Sequence, residues 1–126
     1  MFEKLELTRM AQALAAHAGA RMGVIAENVA QADTPGFKAR DLPDFAATYS
    51  GEAALRATRA GHLNGVPAGG AADPRIIADG GAPNGNTVSL EREMVRAAEA
   101  RQSQEMALAI YRNTSELTRL ALGRGR

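Results

Sequence analysis

The sequence predicts an all-α fold: long N- and C-terminal helices packed as an antiparallel, coiled-coil-like pair, joined by a turn and a loosely ordered middle rich in Gly and Pro. Apolar residues recur at helical spacing near both ends of the chain. The Pro35-Gly36 pair ends the first of these patterns, and residues 61–85 contain seven Gly and three Pro. We therefore divide the chain into an N-terminal helix and corner (1–40), a variable middle (41–85) and a C-terminal helix (86–126).

The composition favours helices that pack on other helices. Of 126 residues 45% are hydrophobic, but 27 are Ala, and the chain has no Trp, two Tyr and three Phe. Ala has the highest helix propensity and lets two backbones approach closely, whereas it fills little of a globular core. The net charge of +1 gives no argument for nucleic acid or an acidic substrate, so protein partners are expected.

The first helix is predicted over residues 5–32, and its apolar stripe includes the packing candidates Leu7, Leu14, Met22, Ile25 and Val29. Gly19 and Gly23 interrupt it at a cost of about 1 kcal/mol each relative to Ala. We therefore expect a second helix to lie close along Ala15, Gly19 and Gly23.

The corner after this helix is predicted to be a type II turn. Pro35 presets the first central φ, and Gly36 accepts the positive φ that the second central position requires. The last regular helical turn is expected near Ala32 or Asp33. Phe37 then lies where it can fold back onto the helix.

The middle of the chain carries weaker signals. A short helix is predicted around residues 51–60, and residues 75–78 could form a brief strand. The Gly- and Pro-rich stretch around them is typical of a segment that forms no core.

The C-terminal helix is predicted to begin after Ser89, a plausible N-cap, and to run toward Leu122. Glu91 and Glu93 occupy its first turn, where the helix dipole favours carboxylates. The packing candidates on this helix are Met94, Leu108, Ile110 and Leu117.

No pattern in the sequence indicates catalysis, a cofactor or a metal site. Two histidines, His17 and His62, lie in different kinds of segment, and the chain has no Cys that could join them in a site. His17 is expected on the helix surface. A nucleic-acid-binding alternative would depend on four arginines without interleaved aromatic residues, which are Arg112, Arg119, Arg124 and Arg126.

Two stretches resemble the signatures of bacterial flagellar rod and hook proteins. Residues 28–41 resemble the N-terminal signature, Asn-Ile-Ala-Asn-x-x-Thr-Pro-Gly-aromatic-Lys, although Gln31 replaces its second Asn. Residues 85–94 resemble the signature that opens the terminal helix. The family commonly has an Asn and a Tyr where this chain has Ala100 and Gln104. The matching residues are Asn28, Ala30, Asp33, Thr34, Pro35, Gly36, Phe37, Asn86, Val88, Leu90 and Glu93.

The resemblance implies a non-enzymatic subunit of the proximal basal-body rod, because the short middle leaves no room for the inserted domain of distal rod and hook proteins. Ala39-Arg40-Asp41 and residues 58–62 favour this position over that of a neighbouring rod protein of the same family, which is the alternative. Such a subunit polymerises into the drive shaft that transmits torque to hook and filament.

The partners that the resemblance implies are other rod proteins, the rod-to-MS-ring adaptor, the MS ring, copies of itself and the flagellar type III export apparatus. The expected location is the periplasmic rod, and export is expected to need no cleavable signal peptide. Neither a membrane span nor a nucleic-acid partner is expected. The export signal is expected around Phe2 and Leu5. The purified chain is expected to be largely disordered at its ends and to gain helix when neighbouring rod proteins are added.

Overall fold

A computed structural model describes residues 2–52 and 72–123 of the chain. Two long helices, α1 (Phe2–Ala30) and α3 (Leu90–Gly123), pack against each other. Between them lie the strand β1 (Arg40–Asp41), the short helix α2 (Phe45–Glu52) and the strand β2 (Arg75–Ile76). The predicted helical fold with paired terminal helices is confirmed.

The two long helices run antiparallel. Arg21 on α1 reaches Glu99 on α3, and Asn86, just before α3, reaches the carbonyl groups just after α1. The end of α1 therefore lies beside the start of α3, and the chain returns on itself through the middle segment. At about 1.5 Å per residue the pair is on the order of 40 Å long.

The interface between α1 and α3 follows a seven-residue repeat, as in a coiled coil. On α1 the buried residues Ala11, Ala18 and Ile25 are spaced by seven, and on α3 the same spacing separates buried residues. This repeat keeps one seam of each helix facing its partner. Its α3 members are Glu93, Ala100, Ala107 and Thr114.

Within the described residues, five of the eight buried hydrophobic side chains are Ala. The small side chains allow the two helices to approach closely. They also bury little apolar area, so the pair gains limited stability from the hydrophobic effect.

The sequence prediction placed the stripe of α1 slightly off this seam. Met22 and Val29 are 36% and 46% exposed, whereas their preceding neighbours Arg21 and Asn28 face inward. The interface between the helices contains polar residues, and a search for apolar residues at helical spacing does not identify them. Within the single chain no described element lies against the expected contact at Ala15, Gly19 and Gly23, because nothing beyond their own helix backbone and chain neighbours lies within 4 Å of a Cβ added at either glycine. A helix of another chain at this face stays a prediction.

The corner after α1 has the predicted turn. The helix ends at Ala30, two residues earlier than expected, and continues as turns through residue 34. Phe37 N then donates to Thr34 O at 3.3 Å, and Gly36 has a φ of +75°. Proline at the first central position and a positive φ at the second define a type II turn, so this prediction is confirmed.

A two-stranded antiparallel sheet follows the corner. Residue Arg40 pairs with Ile76, and Asp41 pairs with Arg75. The strand at residues 75–76 is confirmed, but its partner β1 lies in a stretch that carries no strand signal of its own.

The short helix α2 begins at Phe45, earlier than the predicted 51–60. Asp44 starts it, because its carbonyl accepts the Thr48 N–H at 3.1 Å. The ring of Phe45 packs against Tyr49 on the same helix and against His17 on α1. Residues 53–60, which complete the predicted helix, and His62 lie outside the described residues.

Candidate functional site

The two signature stretches meet at the end of the helix pair where α1 finishes and α3 begins. Residues 28–41 and residues 84–93 are far apart in sequence, but they share several direct hydrogen bonds. The junction is built mainly from asparagine side chains, backbone groups and ion pairs.

Asn28 holds the chain that leaves the corner. Its side chain is fully buried near the end of α1. The Nδ2 group donates to Arg40 O at 2.6 Å, and Arg40 N donates to Oδ1 at 3.1 Å. One amide side chain thus satisfies both backbone groups of Arg40, in the way that a neighbouring strand would.

Asn86 holds the turn that ends α1. The residue is 3% exposed, and its Nδ2 group lies within 2.8–2.9 Å of three carbonyl oxygens. Its Oδ1 atom accepts the Val88 N–H at 2.8 Å, a local asparagine turn that orients the amide. The three carbonyls belong to Gln31, Ala32 and Thr34.

Backbone pairing closes the junction. Gly36 N donates to Asn84 O, and Thr87 N donates to Phe37 O, both at 3.0 Å. Ala39 N donates to the Thr87 hydroxyl at 2.8 Å. We call the hydrogen bonds of Asn28 with Arg40, together with those between residues 31–39 and 84–87, the signature clasp.

Two glycines allow the two segments of the signature clasp to approach. Gly36 and Gly85 both have positive φ, and a Cβ added at Gly85 would lie 3.5 Å from the Gly36 Cα. Glycine adopts this conformation at low cost, whereas most other residues do not.

A cluster of ion pairs lies beside the signature clasp, with Arg96 at its centre. Arg96 contacts Asp79 at 2.5 Å and Glu93 at 2.5 Å, and its Nε lies 3.7 Å from Asp41. Asp41 also receives two 2.9 Å hydrogen bonds from Arg21 of α1. The cluster therefore joins both long helices to β1 and to the segment before α3.

Hydrogen bonding in this cluster shifts the ionisation of its members. The bond from Arg96 holds the pKa of Asp79 below its ordinary 3.8, against the opposing effect of burial, with a further contribution from Arg92. The carboxylates Asp79 and Asp41 in turn raise the pKa values of Arg96 and Arg21. Asp79, Arg96 and Arg21 are consequently charged at neutral pH.

Glu93 has a different environment from the one its position in the first turn of α3 suggested. It is fully buried on the seam and pairs with Arg96 through Oε1. Its other oxygen, Oε2, is buried without a hydrogen-bond partner among the described residues. Pairing with Arg96, in addition to the helix dipole, explains a carboxylate at this point.

The predicted signature residues are distributed between the interior and the surface of the junction. Asn28, Asn86 and Glu93 are buried, Phe37 and Val88 are half-buried, and the rest are exposed. The exposed members are Ala30, Asp33, Thr34, Pro35, Gly36 and Leu90. Sequence reasoning missed Arg21, Asp79 and Arg96, and it included Asp41 and Thr87 only as parts of the signature stretches. Arg21 had a usable signal, its spacing of seven residues from Asn28.

Most of the predicted packing residues lie on the surface of the single chain. Ile25 is buried, and Leu14 and Ile110 are half-buried. The others, together with further large apolar residues on the same helices, are exposed, up to 73% at Met94. Contacts between these exposed residues and other chains stay a prediction. The exposed candidates are Leu7, Met22, Val29, Met94, Leu108 and Leu117.

His17 does not lie free on the helix surface as expected. It is half-buried, its Nε2 lies 2.9 Å from Pro43 O, and its ring meets Phe45 edge-on. It borders a cleft of about 270 Å³ between α1, α2 and α3 that is lined mainly by apolar atoms. No group of three or more His, Asp or Glu side chains in the described parts of the chain could hold a metal ion.

The nucleic-acid-binding alternative depends on four arginines. Arg112 and Arg119 are exposed, and Arg124 and Arg126 lie outside the described residues. Among the helices that the structure describes, none has an apolar stretch long enough to cross a bilayer.

The chain is similar in sequence to the flagellar basal body rod protein FlgB of Salmonella typhimurium. The two are 31% identical over 105 residues, which cover 71% of this chain and 73% of the relative. No family model matches the chain.

Proposed function

The chain belongs to the family of flagellar basal body rod proteins, and from this premise we propose that it is a subunit of the proximal rod. As a rod protein it is structural and not an enzyme. We propose further that copies of the chain assemble with other rod proteins into the shaft that transmits torque from the motor to the hook and filament.

The exposed apolar side chains of α1 and α3 carry this proposal. The helix pair buries mostly alanine, while large apolar residues such as Met94, Leu117 and Leu120 are 73%, 56% and 63% exposed. Apolar surface of this extent on a small chain is typical of a protein that binds other proteins. Because it is spread along both helices, more than one neighbour is needed to cover it.

Repeated head-to-tail contacts whose rotation does not close produce a helical tube. A rigid antiparallel helix pair with apolar outer faces suits this geometry. In that arrangement the neighbours are copies of this chain, other rod proteins and the adaptor that joins the rod to the MS ring.

The proposed location is the periplasmic part of the basal body, which the chain reaches through the flagellar type III export apparatus. The sparse alanine core supports this route, because little apolar burial has to be lost when the chain passes through a channel unfolded.

Site-specific photo-crosslinking in a motile cell carrying this chain tests the proposal. A photoreactive phenylalanine at Met94 is expected to crosslink to rod proteins or to a second copy, since this side chain is among the most exposed apolar ones. The same group at Gln102, an exposed polar position of α3, is the matched control. Equal crosslinking at both positions contradicts the proposed contact surface.

Deletion of the gene tests the role itself. We expect cells without the chain to lack rods and to be non-motile, with recovery on expression of the intact chain. Cells that build rods and swim without it would refute the proposed function.

A further inference from the structure

In the signature clasp, the turn that ends α1 is bound by Asn86, a residue that lies far along the chain from it. The three carbonyls that bind the Asn86 amide precede it by 52 to 55 residues. Helix ends usually receive such bonds from side chains or glycines nearby. The turn that ends α1 thus receives three side-chain hydrogen bonds from a distant segment in addition to its own backbone bonds.

Local backbone bonds reach two of these three carbonyls, because Thr34 N donates to Gln31 O at 3.0 Å and Phe37 N donates to Thr34 O at 3.3 Å. Among the hydrogen bonds of the described residues, Ala32 O is bound by Asn86 alone. A helix commonly ends on a glycine with positive φ directly after its last turn, but α1 ends at Ala30 and is followed by Gln31. No non-glycine residue in the described parts of the chain has a positive φ, and Gly36 lies beyond the turns that Asn86 holds.

The chain that leaves the corner is held from two sides. Asn28 of α1 binds both backbone groups of Arg40. On the other side, Thr87 binds the carbonyl of Phe37 and the N–H of Ala39. Strand β2 and the residue that follows it add a third set, in which Ile77 N donates to Ala39 O at 3.0 Å, and each set leaves unpaired the backbone groups that the others bind.

We propose that the signature clasp is a folding switch, in which the corner and residues 37–40 become fixed against the end of α1 only when residues 84–88 dock against them. The end of α1, the corner and the start of α3 then become ordered in one step. A chain that lacks the second signature leaves Ala32 O and the Ala39 N–H without the bonds that Asn86 and Thr87 make to them. This inference concerns folding within one chain and does not depend on the rod role.

The coupling can be measured at the Arg40 amide, which donates to Asn28 Oδ1 and makes no hydrogen bond to residues 84–88 in the described structure. We suggest measuring hydrogen-exchange protection of single amides in the full chain, with trimethylamine N-oxide added to favour the compact state. The test variant is Asn86→Asp, which keeps the side-chain size but replaces the donating NH₂ group with an oxygen that faces the carbonyls of Gln31 and Ala32.

We expect Asn86→Asp to lower the protection of the Arg40 amide at least tenfold at pH 7. Below about pH 5 protection should recover in part, because a protonated carboxyl can donate to a carbonyl again and burial favours the neutral form. Asn113→Asp, at an exposed position of α3, is the matched control and should change neither value.

Coupling is reciprocal, so Asn28→Asp should lower the protection of the Thr87 amide, which bonds to Phe37 and not to Asn28. If Asn86→Asp unfolds the chain altogether, Thr87→Val decides the matter, since it removes only the hydroxyl that binds Ala39. Unchanged Arg40 protection in the folded variant, or an unprotected Arg40 amide in the natural chain, overturns the proposal. Either result leaves the rod role untouched.

Discussion

Replacing Ala107 with Leu tests whether α1 and α3 approach as closely as their alanine seams indicate. Ala107 is fully buried, and the seam of α1 that α3 packs against carries Ala11 and Ala18, each 1% exposed. Ala107 does not line the cleft beside His17, so an isobutyl group in place of its methyl group adds volume at the buried seam. The two helices must separate, or the side chain must adopt a strained rotamer.

The expected cost follows from this packing. Adding methylenes to a well-packed core destabilises a protein by about 1–3 kcal/mol. We expect about 3 kcal/mol for Ala107→Leu, the upper end of that range, because separating the helices also exposes the neighbouring alanines. Helix propensity contributes little, since Ala and Leu differ only slightly.

The assay is urea unfolding of the purified chain followed by circular dichroism at 222 nm. Ala109→Leu is the matched control, because residue 109 lies on the exposed face of the same helix. We expect the control to stay within about 0.5 kcal/mol of the natural chain. The reasoning is refuted if the unfolding free energies of the two variants agree within error.

Three further predictions concern the ion pairs, the glycines and the outer face. Asp79→Asn should lower the unfolding free energy by about 2 kcal/mol at pH 7. Because the pKa of Asp79 is held below 3.8 in the folded chain, this stabilisation is present above that pH and is lost progressively as the pH falls through the lowered value. Urea titrations should therefore show a smaller difference between the two proteins at pH 2 than at pH 7. Gly36→Ala should destabilise the chain by about 1 kcal/mol, because residue 36 has a φ of +75°. Gly19→Ala should stabilise it by about 1 kcal/mol, because Gly19 lies in a helix interior with open space around it. Thermal melts check both values, and a change in stability of the same sign for both variants would contradict the conformational argument. Met94→Ser should leave the unfolding free energy within about 0.5 kcal/mol but reduce swimming in soft agar, and unchanged swimming would remove Met94 from the proposed contact surface.

The parts of the fold that sequence reasoning reached are those set by local physics. Pro35-Gly36 has few conformations available, so its type II turn could be predicted. Helical spacing similarly located the two long helices, and a short β-branched pair preceded by proline located the strand at residues 75–76.

The remaining features depend on partners that are distant in sequence. Nothing near Asp79 indicates that it pairs with Arg92 and Arg96, and nothing near Arg40 indicates that its backbone is bound by Asn28. The seam was misplaced for a related reason, since an apolar pattern cannot identify a buried asparagine or arginine as an interface residue. A seven-residue count that admits Ala, Arg and Asn would have found it.

Several polar side chains of this chain are buried while several large apolar ones are exposed. This distribution separates the residues that determine folding from those available for contacts with other chains. Asn28, Asn86 and Glu93 are buried and their bonds are made within one chain, while Met94 and Leu117 remain outside. On the proposed rod role, the signature therefore specifies how a subunit folds, and the apolar outer face specifies what it touches. Buried hydrogen bonds require particular atoms at particular distances, whereas apolar contacts tolerate many side chains of similar volume. A family signature made of the first kind of residue identifies the fold of a rod subunit without identifying its neighbours.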